Sequence, residues 1–214
     1  MLDDWYRGRM DFVHPVQAVI PGTQGRVLAV LAETTAELNL RTAARLARVS
    51  PSQASRVLPG LVELGLVERR EVPPSSLFRL NHENVAAQLV IGLARARGTA
   101  LERMGAALKG LPIRPVSVIV FGSFARREAD SQSDIDALVV RPDEVADDMW
   151  AAGVEQWRTS VRALTGNPVE VIEIGKSEAG EKLSSNGQLW RDIVRDGVVV
   201  HGATIDELRG LVHA

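Results

Sequence analysis

The stretch Phe121–Val140 reads FGSFARREADSQSDIDALVV and constrains this chain more than any other. It follows the apolar run Val116–Phe121 (VSVIVF), which reads as a buried strand, and Gly122-Ser123 then breaks the pattern into a short helix. Ten residues on, Asp134 and Asp136 flank Ile135 where a second apolar strand, Ile135–Val140, begins. Residues i and i+2 of a strand point to the same side, so both carboxylates face one way while Ile135 faces the core. Unpaired, two such carboxylates repel and resist full ionisation. A hard divalent cation removes that cost, and Mg²⁺ prefers oxygen ligands, phosphate oxygens among them. The pair therefore reads as a metal platform whose coordination is completed by a nucleoside triphosphate. Upstream, a strand that ends in Gly122-Ser123 and turns into a helix points backbone amides at an anion. Glycine lets a phosphate approach the backbone, the Ser123 hydroxyl can cap the helix and donate to a phosphate together, and Arg126 lies one turn along.

Composition narrows the remaining classes. There is no cysteine, which excludes a disulfide framework, a thiolate zinc site and a cysteine nucleophile. Residues 1–20 are interrupted by Asp3, Asp4, Arg7, Arg9 and Asp11, unlike a signal peptide, and no apolar run approaches the roughly 18 residues a membrane helix needs. The expected location is the cytoplasm, with no membrane partner. Net charge is −2, but it is unevenly spread: residues 1–110 hold 14 Lys and Arg against 10 Asp and Glu, and residues 111–214 hold 11 against 17. That asymmetry fits two domains with different partners. The break Gly110-Leu111-Pro112 is the expected boundary, giving domains 1–110 and 111–214.

In the first half, residues 1–23 are poorly periodic. Helical spacing then marks residues 25–33 and 40–47. Ser50 before Pro51 is an N-cap followed by proline at the first helical position, opening a helix over 51–64 that Gly65 ends. Leu66–Glu71 and Leu77–Asn81 read as strands joined by the loop VPPSS. A long helix is expected from Glu83 to about Lys109, with Val85, Leu89, Leu93, Ala96, Leu101 and Met104 inward. In the second half a helix over 144–165 carries Met149, Val154, Trp157, Val161 and Leu164 inward. Residues 168–174 form a strand, 183–195 a helix and 197–201 a last strand.

The helices and hairpin of residues 24–81 resemble a winged helix-turn-helix, and VSPSQASRVLPGLVELGLVERR is similar to that of MarR-like and ArsR-like regulators. The resemblance implies that the 51–64 helix enters the major groove of DNA, or contacts RNA, through Ser52, Gln53, Ser55 and Arg56, while Arg69, Arg70 and Arg79 on or beside the wing meet phosphates. It also implies that the helix from Glu83 is long enough to form a homodimer. Pro59 predicts a kinked or shortened recognition helix.

GSFARREADSQSDIDALVV resembles the polymerase-beta-type nucleotidyltransferase superfamily, in its minimal and kanamycin-type members, and the likeness extends over residues 112–202 to the closing RDIVRDGVVVHG. The resemblance implies a third carboxylate on a neighbouring strand that ligates metal and takes the acceptor's proton, with two Mg²⁺ ions serving an in-line displacement. Glu170 in PVEVIEI holds that position, where the family carries aspartate. Glu173, three residues on and so on the opposite strand face, ranks second. Arg127 stands where the family carries glycine.

The expected fold class is therefore α+β: an N-terminal winged helix-turn-helix domain, then a nucleotidyltransferase α/β domain with a mixed sheet. The expected function is Mg²⁺-dependent transfer of a nucleoside monophosphate from an NTP to a hydroxyl on a protein, an RNA end or a small molecule, a toxin–antitoxin role included. Asp134, Asp136 and Glu170 hold metal and act in catalysis, and Gly122, Ser123 and Arg126 bind the nucleotide. The competing reading is a DNA-binding regulator whose second domain only senses nucleotide.

Overall fold

The structure, a computed structural model, describes residues 8–211. Two compact units divide it: His14–Arg97, and Gly98 onward together with the described residues up to Val13.

In the first unit, α1 (Pro15–Val19), α2 (Gly22–Ala32), α3 (Leu40–Leu46), α4 (Pro51–Glu63) and α5 (Val85–Ala94) pack with a three-stranded antiparallel sheet of β1 (Leu38–Asn39), β2 (Val67–Val72) and β3 (Ser75–Leu80), in the order β1-β3-β2. Val27, Leu28, Leu31, Ala44, Ala54, Leu58, Leu61, Phe78 and Leu80 form its core. Helix α4 starts where the sequence says it should. The Ser50 hydroxyl accepts from the Gln53 amide at 3.1 Å, and the Gln53 side chain accepts from the Ser50 amide at 2.9 Å, a reciprocal cap behind Pro51. Replacing Ser50 with alanine should cost about 1 kcal/mol, read as an earlier urea midpoint with unchanged slope.

Pro59 does not shorten this helix, which runs through it from Pro51 to Glu63. Pro59 and Ser55 are both exposed, so the carbonyl that loses its amide partner is on the solvent side, where water can satisfy it. The hairpin is tighter than the sequence implies. Val72 pairs with Ser75, so only Pro73 and Pro74 form the turn. The long helix expected from Glu83 is two, α5 and α6 (Ala96–Ala107), with Arg95 between them outside helical geometry. Its inward set also changes: Ala87, Val90 and Ile91 are buried, whereas Val85 and Leu89 are 80% and 70% exposed. Asn84 caps α5 by accepting from the Ala86 and Ala87 amides.

The second unit is built on a mixed four-stranded sheet in the order β6-β5-β4-β7, from β4 (Ser117–Phe121), β5 (Ile135–Arg141), β6 (Val169–Gly175) and β7 (Val198–Gly202). β5 runs antiparallel to β4 and parallel to β6. A parallel neighbour requires a crossover, which α8 (Asp147–Thr165) supplies. Trp150, Val154, Trp157 and Val161 of α8 are buried, and the Trp157 indole donates to the Met104 carbonyl at 3.0 Å. Met149, expected inward, is 54% exposed. The other sheet face carries Ile119, Phe121, Leu138, Val140 and Ile174 against α9 (Lys176–Ser184), α10 (Gln188–Asp196) and α11 (Ile205–Gly210). No described helix is long and apolar enough to cross a membrane.

Candidate active site

The site forms at one end of this sheet, where β4 ends and β5 and β6 begin. The Phe121–Asp136 register pair sets Asp136 beside the strand-to-helix turn that opens α7 (Gly122–Ala125). Gly122 takes φ +67°, a left-handed conformation, and the Asp136 carboxylate lies directly over its α-carbon. A Cβ at Gly122 would come within 2.1 Å of Asp136 Oδ2, so this close approach admits only glycine.

Across the parallel register Asp136 pairs with Glu170, which puts both side chains on one sheet face. Partial burial pushes the Asp136 carboxyl above the ordinary aspartate range, the negative charges of Asp134 and Glu170 push it further, and Arg126 opposes them. Two of the acids named from the sequence therefore act on the third. Glu173 points to the opposite face and accepts a hydrogen bond from the Trp150 indole. Oxygen-only donors, a surplus of negative charge and the glycine cradle together fit a hard divalent cation. Among the described residues no three acidic or imidazole side chains close around one point as a finished cage.

Asp134 is already engaged. Arg9 Nη1 donates to Asp134 Oδ1 at 3.1 Å and to the Gln132 carbonyl at 2.9 Å, a contact between residues 125 positions apart that sequence reading missed. Ser123 is half-buried and its hydroxyl caps nothing. Arg126 donates to Glu128 at 2.8 Å and lies 4.0 Å from Asp196, so its charge is shared between two carboxylates. Arg127 adopts φ +64°. The left-handed conformation is costly for any residue with a Cβ, so Arg127→Gly should gain about 1 kcal/mol, or roughly 2–4 °C in melting temperature.

In the winged helix, Ser52, Gln53, Ser55 and Arg56 are exposed on the first turns of α4. Ser52 and Gln53 serve the cap, and Ser55 donates to the Ser52 carbonyl at 3.2 Å. The arginines of the hairpin all carry acidic partners: Arg69 with Glu71 at 3.2 Å, Arg79 with Glu68 at 2.5 Å, and Arg70 with Glu37. Among these seven residues Arg56 alone has no polar partner among the described residues.

The second unit thus sets paired carboxylates at the edge of a mixed sheet beside a Gly-Ser turn. Residues 100–201 match the family model described as a nucleotidyltransferase domain, and residues 20–75 match that of the MarR family. The chain thus joins a MarR-family domain to a nucleotidyltransferase domain. No curated protein matches it. Among solved structures it is similar to a toxin–antitoxin crystallised with AMP-PNP (17% identity, 52% of this chain and 81% of that one, TM-score 0.36). A mutant of the MntA-HpeT toxin–antitoxin (15%, 52% and 81%, TM-score 0.37) is also similar. So is a nucleotidyltransferase from Sulfolobus solfataricus (23%, 49% and 85%, TM-score 0.24).

Proposed function

We propose that this chain transfers a nucleoside monophosphate from an NTP to an acceptor hydroxyl, and that its winged helix contacts DNA. The observation that carries the first part is the carboxylate edge: Asp136 over the Gly122 α-carbon, Glu170 beside it across the parallel register, and Asp134 two residues away. Asp134, Asp136 and Glu170 are the residues that would hold Mg²⁺. Bound there, it supplies charge for the entering and leaving oxygens of an in-line displacement.

The chain's own groups account for the rest. The Gly122 turn admits the phosphates close to the backbone, and the Ser123 hydroxyl, which caps no helix, donates to one of them. Arg126 exchanges Glu128 for phosphate oxygen, an exchange made easy by the exposure of that ion pair. Glu170 accepts the proton of the acceptor hydroxyl as the new bond to the α-phosphorus forms. The bond from the α-phosphorus to its bridging oxygen breaks, and pyrophosphate leaves with that electron pair.

Glu170→Gln should cut the transfer rate by about 10²–10⁴, the usual contribution of a positioned base, while Glu170→Asp keeps most of it. Single-turnover rates at saturating nucleotide measure this, and a glutamine variant as fast as the parent would remove Glu170 from the reaction. For DNA, the unpartnered Arg56 is the residue to change. Arg56→Ala should weaken binding to duplex DNA and lower the slope of log K against log salt by about 1. An unchanged slope would place the nucleic-acid contact elsewhere.

A further inference from the structure

We propose that residues 8–13 are a latch in which Arg9 occupies the Asp134 carboxylate in competition with a divalent cation, and that the cation releases it. The inference rests on the metal site proposed above.

The segment is tied across the loop that carries Asp134, and every tie is local to the site. The Met10 amide donates to buried Asn167 at 3.3 Å, and Asn167 in turn donates to the Ser133 carbonyl at 2.8 Å. The Phe12 amide donates to the Ala129 carbonyl at 3.1 Å. The Phe12 ring meets Phe124 of the phosphate turn edge-on, with centroids 5.0 Å apart. Gly166, at φ +78°, leaves room for the Gly8 carbonyl where a Cβ would lie 2.2 Å from it. Arg9 completes the segment with its contacts to Gln132 and Asp134.

Two features mark this as a latch rather than a brace. The acid taken by Arg9 is the first of the pair that would hold the ion. The ion pair is also exposed, its side chains 37% and 43% accessible, and such pairs are weak enough to yield to a doubly charged ion. A brace that oriented Asp134 for metal would act in the opposite direction, since removing an outer partner of a ligating carboxylate weakens metal affinity.

The sign of the effect therefore decides. In the full chain without nucleotide, free Mn²⁺ followed by electron paramagnetic resonance gives the affinity. Arg9→Ala should tighten it by roughly 2- to 5-fold, the worth of an exposed ion pair. Phe12→Ala changes no charge and should also tighten it, by loosening the segment. Saturating Mn²⁺ should speed hydrogen exchange at the Met10 and Phe12 amides.

Weaker binding in Arg9→Ala, or slower exchange at those amides, overturns the latch in favour of a brace. Tightening in Arg9→Ala without tightening in Phe12→Ala overturns it in favour of simple charge removal. Should Phe12→Ala fail to fold, the Arg9 and exchange results still decide. Asp136→Asn separates the two levels. If it leaves Mn²⁺ binding intact, the metal site itself is wrong and the latch falls with it. If it abolishes binding while Arg9→Ala does not tighten it, only the latch falls.

Discussion

Gly122→Ala is expected to lose nucleotidyl transfer by about 100-fold or more, the scale on which a misplacement of about 1 Å at reacting groups is felt. The cause is twofold. Alanine disfavours φ +67° by about 1–2 kcal/mol, and its Cβ would sit 2.1 Å from Asp136 Oδ2, so the carboxylate must swing off the turn. Thermal denaturation should show the destabilisation and a labelled-nucleotide assay the loss of transfer. The double variant Gly122→Ala, Asp136→Ala should recover part of the lost stability, because removing the carboxylate removes the clash. Residues in direct contact are coupled in this way, and strictly additive losses would mean the two are not. Activity should not return in the double variant.

Asp136→Asn should move activity and stability in opposite directions. Transfer should fall by at least about 10³-fold, since the replacement takes a charged oxygen from the centre of the proposed metal platform. Stability should rise in chelator-treated protein at neutral pH, because asparagine places no charge in the half-buried position beside Asp134 and Glu170.

The sign follows from the direction of the shift. A carboxyl whose folded value lies above its unfolded one binds its proton more tightly when folded, so its ionisation costs stability as pH rises through the folded value. Asparagine avoids that cost. The advantage should therefore shrink as pH falls toward the ordinary aspartate range, where Asp136 is itself protonated. A site that gives up stability for chemistry behaves this way. An asparagine variant no more stable than the parent would mean that the three acids do not burden the fold.

The strand framework was legible because its signals are strong. VSVIVF and IDALVV are apolar runs too short for helices and bounded by glycine and polar residues, and they became β4 and β5 within one residue. The opposed faces of Glu170 and Glu173 followed from the strand period alone.

What escaped notice was short or non-local. Helices α9 and α11 are mostly polar and announce themselves only by caps, Glu178 reaching back to the Gly175 amide and Thr204 exchanging bonds with Glu207. The wing arginines read as free phosphate contacts because their partners depend on register. Glu68 faces Arg79 only once the hairpin turn is known to be two residues, and Glu37 reaches Arg70 from beside another strand. Arg9 gave no signal at all. A single arginine in an unpatterned segment carries nothing that points to Asp134, and only the folded chain brings them together.

The proposed transfer breaks the bond between the α-phosphorus and the oxygen that bridges it to the β-phosphorus. The most direct measurement compares two labels on each of the four NTPs, one at the α-phosphate and one at the γ-phosphate, incubated with the full chain, Mg²⁺ and cell extract. The α-label should become covalently attached to an acceptor, the γ-label should leave as pyrophosphate, and Asp136→Asn should do neither. Transfer of the γ-label, or nucleotide that binds and is returned intact while DNA affinity changes, would contradict the proposed transfer; the second result would make the domain a sensor.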